Sequence, residues 1–232
     1  MMDLDELLAR YETLGDERDF LEAKPLFEQA VADVEDPRLL TGYGYLLESH
    51  GRNELRRAAA LYERAIALDP AEDKPHYQLI SARAGLGEPE RAVSACKELL
   101  AANPRGVREH RFLALAYVAA HAYGNALATA EAGLALAGDD AVLTAARGEA
   151  RAGLGEVEGA LADWRRALEL DAEDIGALYS TAFLLEREGR LPESVEAWQA
   201  IVDWNEARGL TDETVWPSQE LERLRAEQRD HG

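Results

Sequence analysis

The chain has 232 residues, of which 47% are hydrophobic and 30% charged, with a formal net charge of −20. That is ample apolar material for a sizeable core. The acidic excess argues against nucleic acid and anionic membranes as partners, because both need clustered lysine and arginine.

The acidic start, MMDLDELLARYETLGDERDF, lacks the basic and apolar regions of a targeting peptide. No stretch reaches the roughly 18 uncharged apolar residues of a membrane span. The lone Cys96 permits no internal disulfide. A cytoplasmic location is expected. Residues 82–88 and 150–156 both read ARAGLGE, 68 positions apart, which is twice 34. Taken in chain order at that period, 1–36 forms a degenerate helix pair. Leu4, Leu7, Leu8, Tyr11 and Gly15 mark its first helix, and Phe27 and Ala30 its second, after a lengthened loop. Next come 37–72, with two extra residues in the inter-helix loop around Asn53 to Arg56, then 73–106, 107–140, 141–174 and 175–208 without gaps. The tail, 209–232, reads as a loop and a capping helix from about Pro217, with Leu221 and Leu224 as its apolar stripe and Trp204 and Trp216 seating it. No Gly-, Ser- or Pro-rich linker interrupts the chain, so one continuous domain is expected.

Stacking the segments produces columns. Repeat position 8 holds Gly44, Ile80, Ala114, Gly148 and Ala182, and position 20 holds Ala58, Ala92, Ala126, Ala160 and Ser194. Position 15 holds Gly51, Gly87, His121, Gly155 and Gly189, and position 24 holds Tyr62, Cys96, Ala130, Trp164 and Trp198. Apolar residues recur at three- and four-residue steps on both sides of position 15, so each segment is two amphipathic helices. Glycine at 15 lets the chain leave the first helix through a left-handed turn. Small residues at 8 and 20 allow a close crossing, and a larger one at 24 fills the space beside it.

With Pro70 and Pro104 near position 32, this pattern resembles the tetratricopeptide repeat (TPR). The resemblance implies an all-α, right-handed α-solenoid of stacked helix-turn-helix units, 37–208 making five of them, with the C-terminal capping helix. Departures concentrate in 107–140, where His121 replaces the turn glycine, Gly133 a larger residue and Gly138 the proline. That repeat is expected to be the loosest.

Catalytic patterns are missing: there is no GxSxG, HExxH or Walker A loop, and GLGEPE at 85–90 falls in a helix-helix turn rather than after a strand. His76 and His110 share repeat position 4 and read as packing residues rather than a metal pair, since equivalent positions lie roughly 10 Å apart. Cys96, at packing position 24, lacks the setting of a nucleophile. No enzyme activity, metal or cofactor is expected.

In the TPR family the first helices line a concave face that grips peptides through positions 2, 5, 6, 9, 12 and 13. Transferred to this chain, that groove comprises Arg38, Tyr45, Lys74, Tyr77, Gln78, Ser81, Arg108, Arg111, Phe112, Leu115, Glu149, Tyr179 and Phe183. Arg38, Lys74, Arg108 and Arg111 form a basic ladder suited to an acidic or C-terminal carboxylate group, while Tyr179 and Phe183 form an apolar end. The asparagines of the family's carboxylate clamp are replaced by Tyr45, Gln78 and Ser81, so chaperone-tail binding is not expected. The leading expectation is a non-catalytic adaptor for a protein or peptide. The alternative is homo-oligomerisation through the end repeats and Ala119, Ala120, Ala122, Ala126, Ala128 and Ala130. Arg83 and Arg151, within the two ARAGLGE copies, have no role legible in the sequence.

Overall fold

The computed structural model describes residues 17–33, 35–48 and 52–230, and every element among them is an α-helix. Leu4, Leu7, Leu8, Tyr11, Gly15, His50, Gly51 and His231 lie outside the described residues. The helices fall into two compact units, divided between Ala102 and Asn103. The first contains α1 (Glu17–Asp33), α2 (Pro37–Glu48), α3 (Arg52–Leu68), α4 (Lys74–Gly85) and α5 (Pro89–Ala102). The second contains α6 (Val107–Ala119), α7 (Tyr123–Ala137), α8 (Ala141–Gly153), α9 (Val157–Leu170), α10 (Ile175–Arg187), α11 (Leu191–Ala207) and α12 (Thr211–Asp230). Within each unit a helix packs on the next in sequence, and first helices also meet the first helix of the following repeat, as α2 meets α4 and α6 meets α8. No described helix is long and apolar enough to cross a membrane.

The turns inside the repeats share one geometry. Gly87, Gly155 and Gly189 have φ of 75°, 82° and 68°, and Gly209 repeats it at 71° before α12. The next residue's N–H closes back five positions in each case: Glu88 to Arg83 at 2.8 Å, Glu156 to Arg151 at 2.8 Å, Arg190 to Leu185 at 2.9 Å and Leu210 to Asn205 at 3.0 Å. This closure caps carbonyls that the helix end would otherwise leave unpaired. His121 adopts the same turn at φ 53°, with Ala122 N–H on the Tyr117 carbonyl at 2.9 Å, and its Nδ1 lies 2.7 Å from the Tyr123 hydroxyl. Its repeat keeps the geometry with a side chain that tolerates it poorly. Gly133 in the same repeat has a packing reason: a Cβ there would meet Leu143 Cδ1 at 2.7 Å and His110 Cβ at 2.8 Å.

Positions 8 and 24 are in direct contact. A Cβ on Gly44 would lie 2.5 Å from the Tyr62 ring, and one on Gly148 would lie 2.7 Å from Trp164 Nε1. The absent side chain is the seat of the ring. Tyr62, Trp164 and Trp198 are each essentially inaccessible. Where position 8 is larger, as at Ile80, position 24 shrinks to the buried Cys96, whose thiol burial pushes up to about 12. Ala114 and Ala130 share one buried cluster with Leu143 and Ala146.

Three expectations change. The two extra residues of 37–72 extend α3, which begins at Arg52 and includes Asn53 to Arg56, rather than lengthening a loop. The capping helix begins at Thr211, six residues before Pro217. Proline lacks the N–H that would bond the carbonyl four residues back, and the buried side chain of Asn205 supplies a donor instead, Nδ2 to the Glu213 carbonyl at 3.1 Å. Finally, Ala126 and Ala130 are fully buried, so they cannot form an outer self-association surface.

Gly148→Ala should overpack the Trp164 seat and lower stability by about 1–3 kcal/mol in denaturant titration. Gly155→Ala should cost about 1–2 kcal/mol by the same measurement, from forcing a Cβ into the left-handed region.

Candidate functional site

The residues expected to form a groove all lie on the first helices of their repeats, α2 and α4 in the first unit and α6, α8 and α10 in the second. In the first unit Arg38, Tyr45, Lys74 and Ser81 are exposed, and Tyr77 and Gln78 are half-buried. Arg38 turns to its own helix start, where Nε lies 3.5 Å from Asp36. Glu48 accepts from the Tyr62 hydroxyl at 3.1 Å and also hydrogen-bonds Ser81. Burial pushes the Glu48 carboxyl above the usual range, against those two bonds.

The second unit redistributes the expected residues more strongly. Phe112 is wholly buried and is a core residue, not a groove residue, with the Arg108 guanidinium 5.0 Å from its ring centroid. Arg111 is committed internally: its Nε and Nη2 reach Asp140 Oδ2 at 2.8 and 2.5 Å. Asp140 in turn caps α8 by accepting the Leu143 N–H at 2.9 Å. Asp174 does the same for α10 through the Ala177 N–H, and Asp36 for α2 through the Leu39 N–H. These aspartates immediately precede first helices, as N-caps do. Arg111 therefore pins one first helix to the start of the next. Leu115 is half-buried.

The arginines of the ARAGLGE copies have a comparable task. Arg83 reaches Glu63 of the preceding helix at 2.8 Å and the Arg91 carbonyl of the following one at 3.1 Å. Arg151 joins Arg147 on the buried Asp163 of α9, at 2.7 and 2.6 Å. Their carbonyls close the turn while their guanidinium groups tie the two helices beside it. His76 and His110 are both buried against backbone carbonyls, of Pro70 at 3.3 Å and Gly106 at 2.8 Å. Among the described residues no three His, Cys, Asp or Glu side chains converge to hold a metal.

The most developed surface lies where α10, α11 and α12 meet. Tyr179 and Phe183, four residues apart on α10, stack at 6.3 Å between centroids and 24° between planes. Trp216 of α12 stacks on Tyr179 at 5.9 Å and 21° and lies 6.1 Å from Phe183. The three near-parallel rings rest on the buried Trp198, which stands nearly perpendicular to each at 6.0, 5.3 and 5.1 Å. Offset and edge-to-face contacts of this kind are the favourable arrangements of aromatic quadrupoles. Phe183 is 50% exposed and Trp216 45%, so the cluster presents ring surface outward. Asn205 holds it in place, bonding the Tyr179 hydroxyl as well as the Glu213 carbonyl. Trp216, Trp198 and Asn205 belong to this face although the groove pattern omits them. Its register stops at the first helices, and Trp216 is carried in by the cap. Trp204, also expected at the cap, donates Nε1 to the Ala172 carbonyl before α10 at 3.1 Å.

Glu149 of α8 borders this face through Ser180 of α10, whose hydroxyl donates to Glu149 Oε1. Burial pushes the Glu149 carboxyl above the usual range, Asp174 adds to the rise, and the Ser180 bond opposes it. A carboxyl whose native pKa is raised binds its proton more tightly folded than unfolded. Its ionisation therefore costs stability as pH rises through the native value.

Two outcomes follow for these groups. Glu149→Gln should raise the melting temperature at pH 7, with the gain shrinking as pH falls toward 4, when the native glutamate is already protonated. Asp140→Ala, which removes a cap and strands Arg111, should lower stability by about 2–4 kcal/mol in denaturant titration, discounted for the partial solvation of Arg111.

No family model matches the chain, and no curated protein matches it in sequence. Solved structures do. A thermophilic TPR protein of Thermus thermophilus superposes with a TM-score of 0.62 at 24% identity, covering 80% of this chain and 98% of that one. A tetratricopeptide repeat protein of Parabacteroides merdae gives 0.54 at 15% identity, covering 95% and 92%. Yeast Tom70 gives 0.64 at 15% identity, covering 97% of this chain and 47% of its own length. At these identities the likeness is one of fold, and it agrees with the turn, crossing and packing geometry of the repeats: the chain has the all-α tetratricopeptide-repeat fold.

Proposed function

We propose that the chain is a non-catalytic adaptor that binds a protein or peptide segment on the surface of its first helices. The observation that carries this reading is the aromatic face of the second unit, where Phe183 and Trp216 present ring surface to solvent from a rigidly buttressed cluster. Exposed aromatics held in fixed geometry are the side chains that most often dominate binding energy. Tyr45, 49% exposed on α2, offers a smaller aromatic surface in the first unit. An acidic or C-terminal carboxylate group of a ligand would have Lys74 and Arg38 of that unit to meet. Arg111 is not available to it, being held by Asp140.

Affinity capture from a lysate of the source organism, with wild type and the Phe183→Ala/Trp216→Ala double variant as baits, tests the reading. A specific partner should be retained by wild type and reduced at least tenfold with the variant, while far-UV circular dichroism stays unchanged. Equal recovery from both baits sinks the assignment of this face.

A further inference from the structure

The aromatic face is flanked by carboxylates that lack cations, and the chain contains a completed version of the same arrangement. Just past the end of α11 the Arg208 guanidinium lies 3.8 Å from the Trp204 ring centroid while its nitrogens pair with Glu173. A cation is thus held between an indole face and a carboxylate, which combines attraction to the ring quadrupole with charge pairing. Around Trp216 the indole and the carboxylates are present. Glu213, one helical turn earlier on α12, is exposed, acts electrostatically on the Tyr179 hydroxyl and forms no ion pair among the described residues. Glu149, bonded by Ser180, likewise meets no cation among them. Nearby arginines are already engaged: Arg187 with Glu188 and the Ala152 carbonyl, Arg223 with Glu186, Glu220 and Glu227, and Arg208 with Glu173.

We propose that the Tyr179–Phe183–Trp216 face is a receptor for a cationic side chain, arginine above all, on an extended segment of a partner protein, with Glu213 and Glu149 as its counter-charges. The inference rests on the peptide-binding reading above and specifies its ligand. Charge complementarity selects this occupant. An acidic segment would face two carboxylates that meet no cation among the described residues and a chain of net charge −20. A purely apolar one would cover ring surface and leave both carboxylates beside it without a counter-charge. Arginine fits better than lysine because its planar guanidinium can stack on the rings and still present its edge to a carboxylate. The buried position of Glu149 has a reason in this scheme. A carboxylate held partly out of water attracts a cation more strongly than a solvated one, and its cost to the free protein is recovered when the cation arrives.

The test uses the full chain and four fluorescein-labelled ten-residue Gly/Ser peptides, carrying three arginines, three citrullines, three leucines or three glutamates, in fluorescence anisotropy at low and moderate salt. The arginine peptide should bind at least fivefold more tightly than its neutral citrulline isostere, and the glutamate peptide should not bind. Trp216→Ala, which leaves the net charge unchanged, should weaken the arginine peptide at least fivefold, and Glu213→Gln about threefold. In wild-type protein the Trp216 indole ¹⁵N–¹H resonance should shift on titration with the arginine peptide, a readout independent of how well the variants fold. Arginine-peptide binding that is indifferent to Trp216→Ala and leaves that resonance unmoved would be adhesion to the acidic surface and would overturn the proposal. A leucine peptide that binds as well as the arginine peptide and moves the same resonance overturns the cationic preference while the peptide-binding reading stands. If no peptide binds and the captured partner survives the Phe183→Ala/Trp216→Ala change, both readings fall.

Discussion

The structure depends first on a backbone turn. Around Gly87, His121, Gly155, Gly189 and Gly209 the chain enters the left-handed region, and the following N–H returns to a carbonyl five residues earlier. That single closure ends one helix, satisfies its last carbonyls and starts the next helix at a fixed angle. Everything else is referred to it. The helices cross closely enough for a ring at position 24 to lie on a missing side chain at position 8. Gly44 beneath Tyr62 and Gly148 beneath Trp164 are the clearest cases. The exchange of Gly148–Trp164 for Ile80–Cys96 trades bulk between the two positions, while the small Ala114–Ala130 pair shares its cluster with Leu143 of the next repeat.

The acidic composition, which argued against nucleic acid and anionic membranes as partners, is also architectural. Asp36, Asp140 and Asp174 start first helices, and Asp140 and Asp163 are buried acceptors for arginines from neighbouring helices. Arg111, Arg147 and Arg151 of the second unit are held in these internal ties. A basic ladder read from a column of residues can therefore dissolve in three dimensions. Arg111 occupies an inner-face position in the repeat but belongs energetically to the helix start beside it.

Repeat boundaries, the turn, the crossing and the packing columns were legible because each is a local rule that recurs at a fixed period. The start of α12 was misplaced because Pro217 normally marks a helix beginning. The compensating donor, Asn205, comes from the preceding helix, and no local rule reveals it. The length of α3 was misjudged for a related reason: two inserted residues can extend a helix as easily as a loop. At the binding face, Tyr179 and Phe183 were visible as an i, i+4 pair on the inner positions. Trp216 was not, because it joins them from outside the repeat register, and Phe112 was misread because one face of a first helix grades into the core within a single residue step.

The distribution of indoles has an optical consequence. All four tryptophans, Trp164, Trp198, Trp204 and Trp216, belong to the second unit, and three of them lie on α11 and α12. Intrinsic tryptophan emission is therefore a private channel of that unit, most sensitive to the end where the aromatic rings gather. The first unit is silent at those wavelengths and speaks only through tyrosine, among them Tyr43, Tyr45, Tyr62 and Tyr77. Tryptophan emission therefore follows events in the second unit without an added label, whereas tyrosine, which the second unit also carries as Tyr117, Tyr123 and Tyr179, does not single out the first.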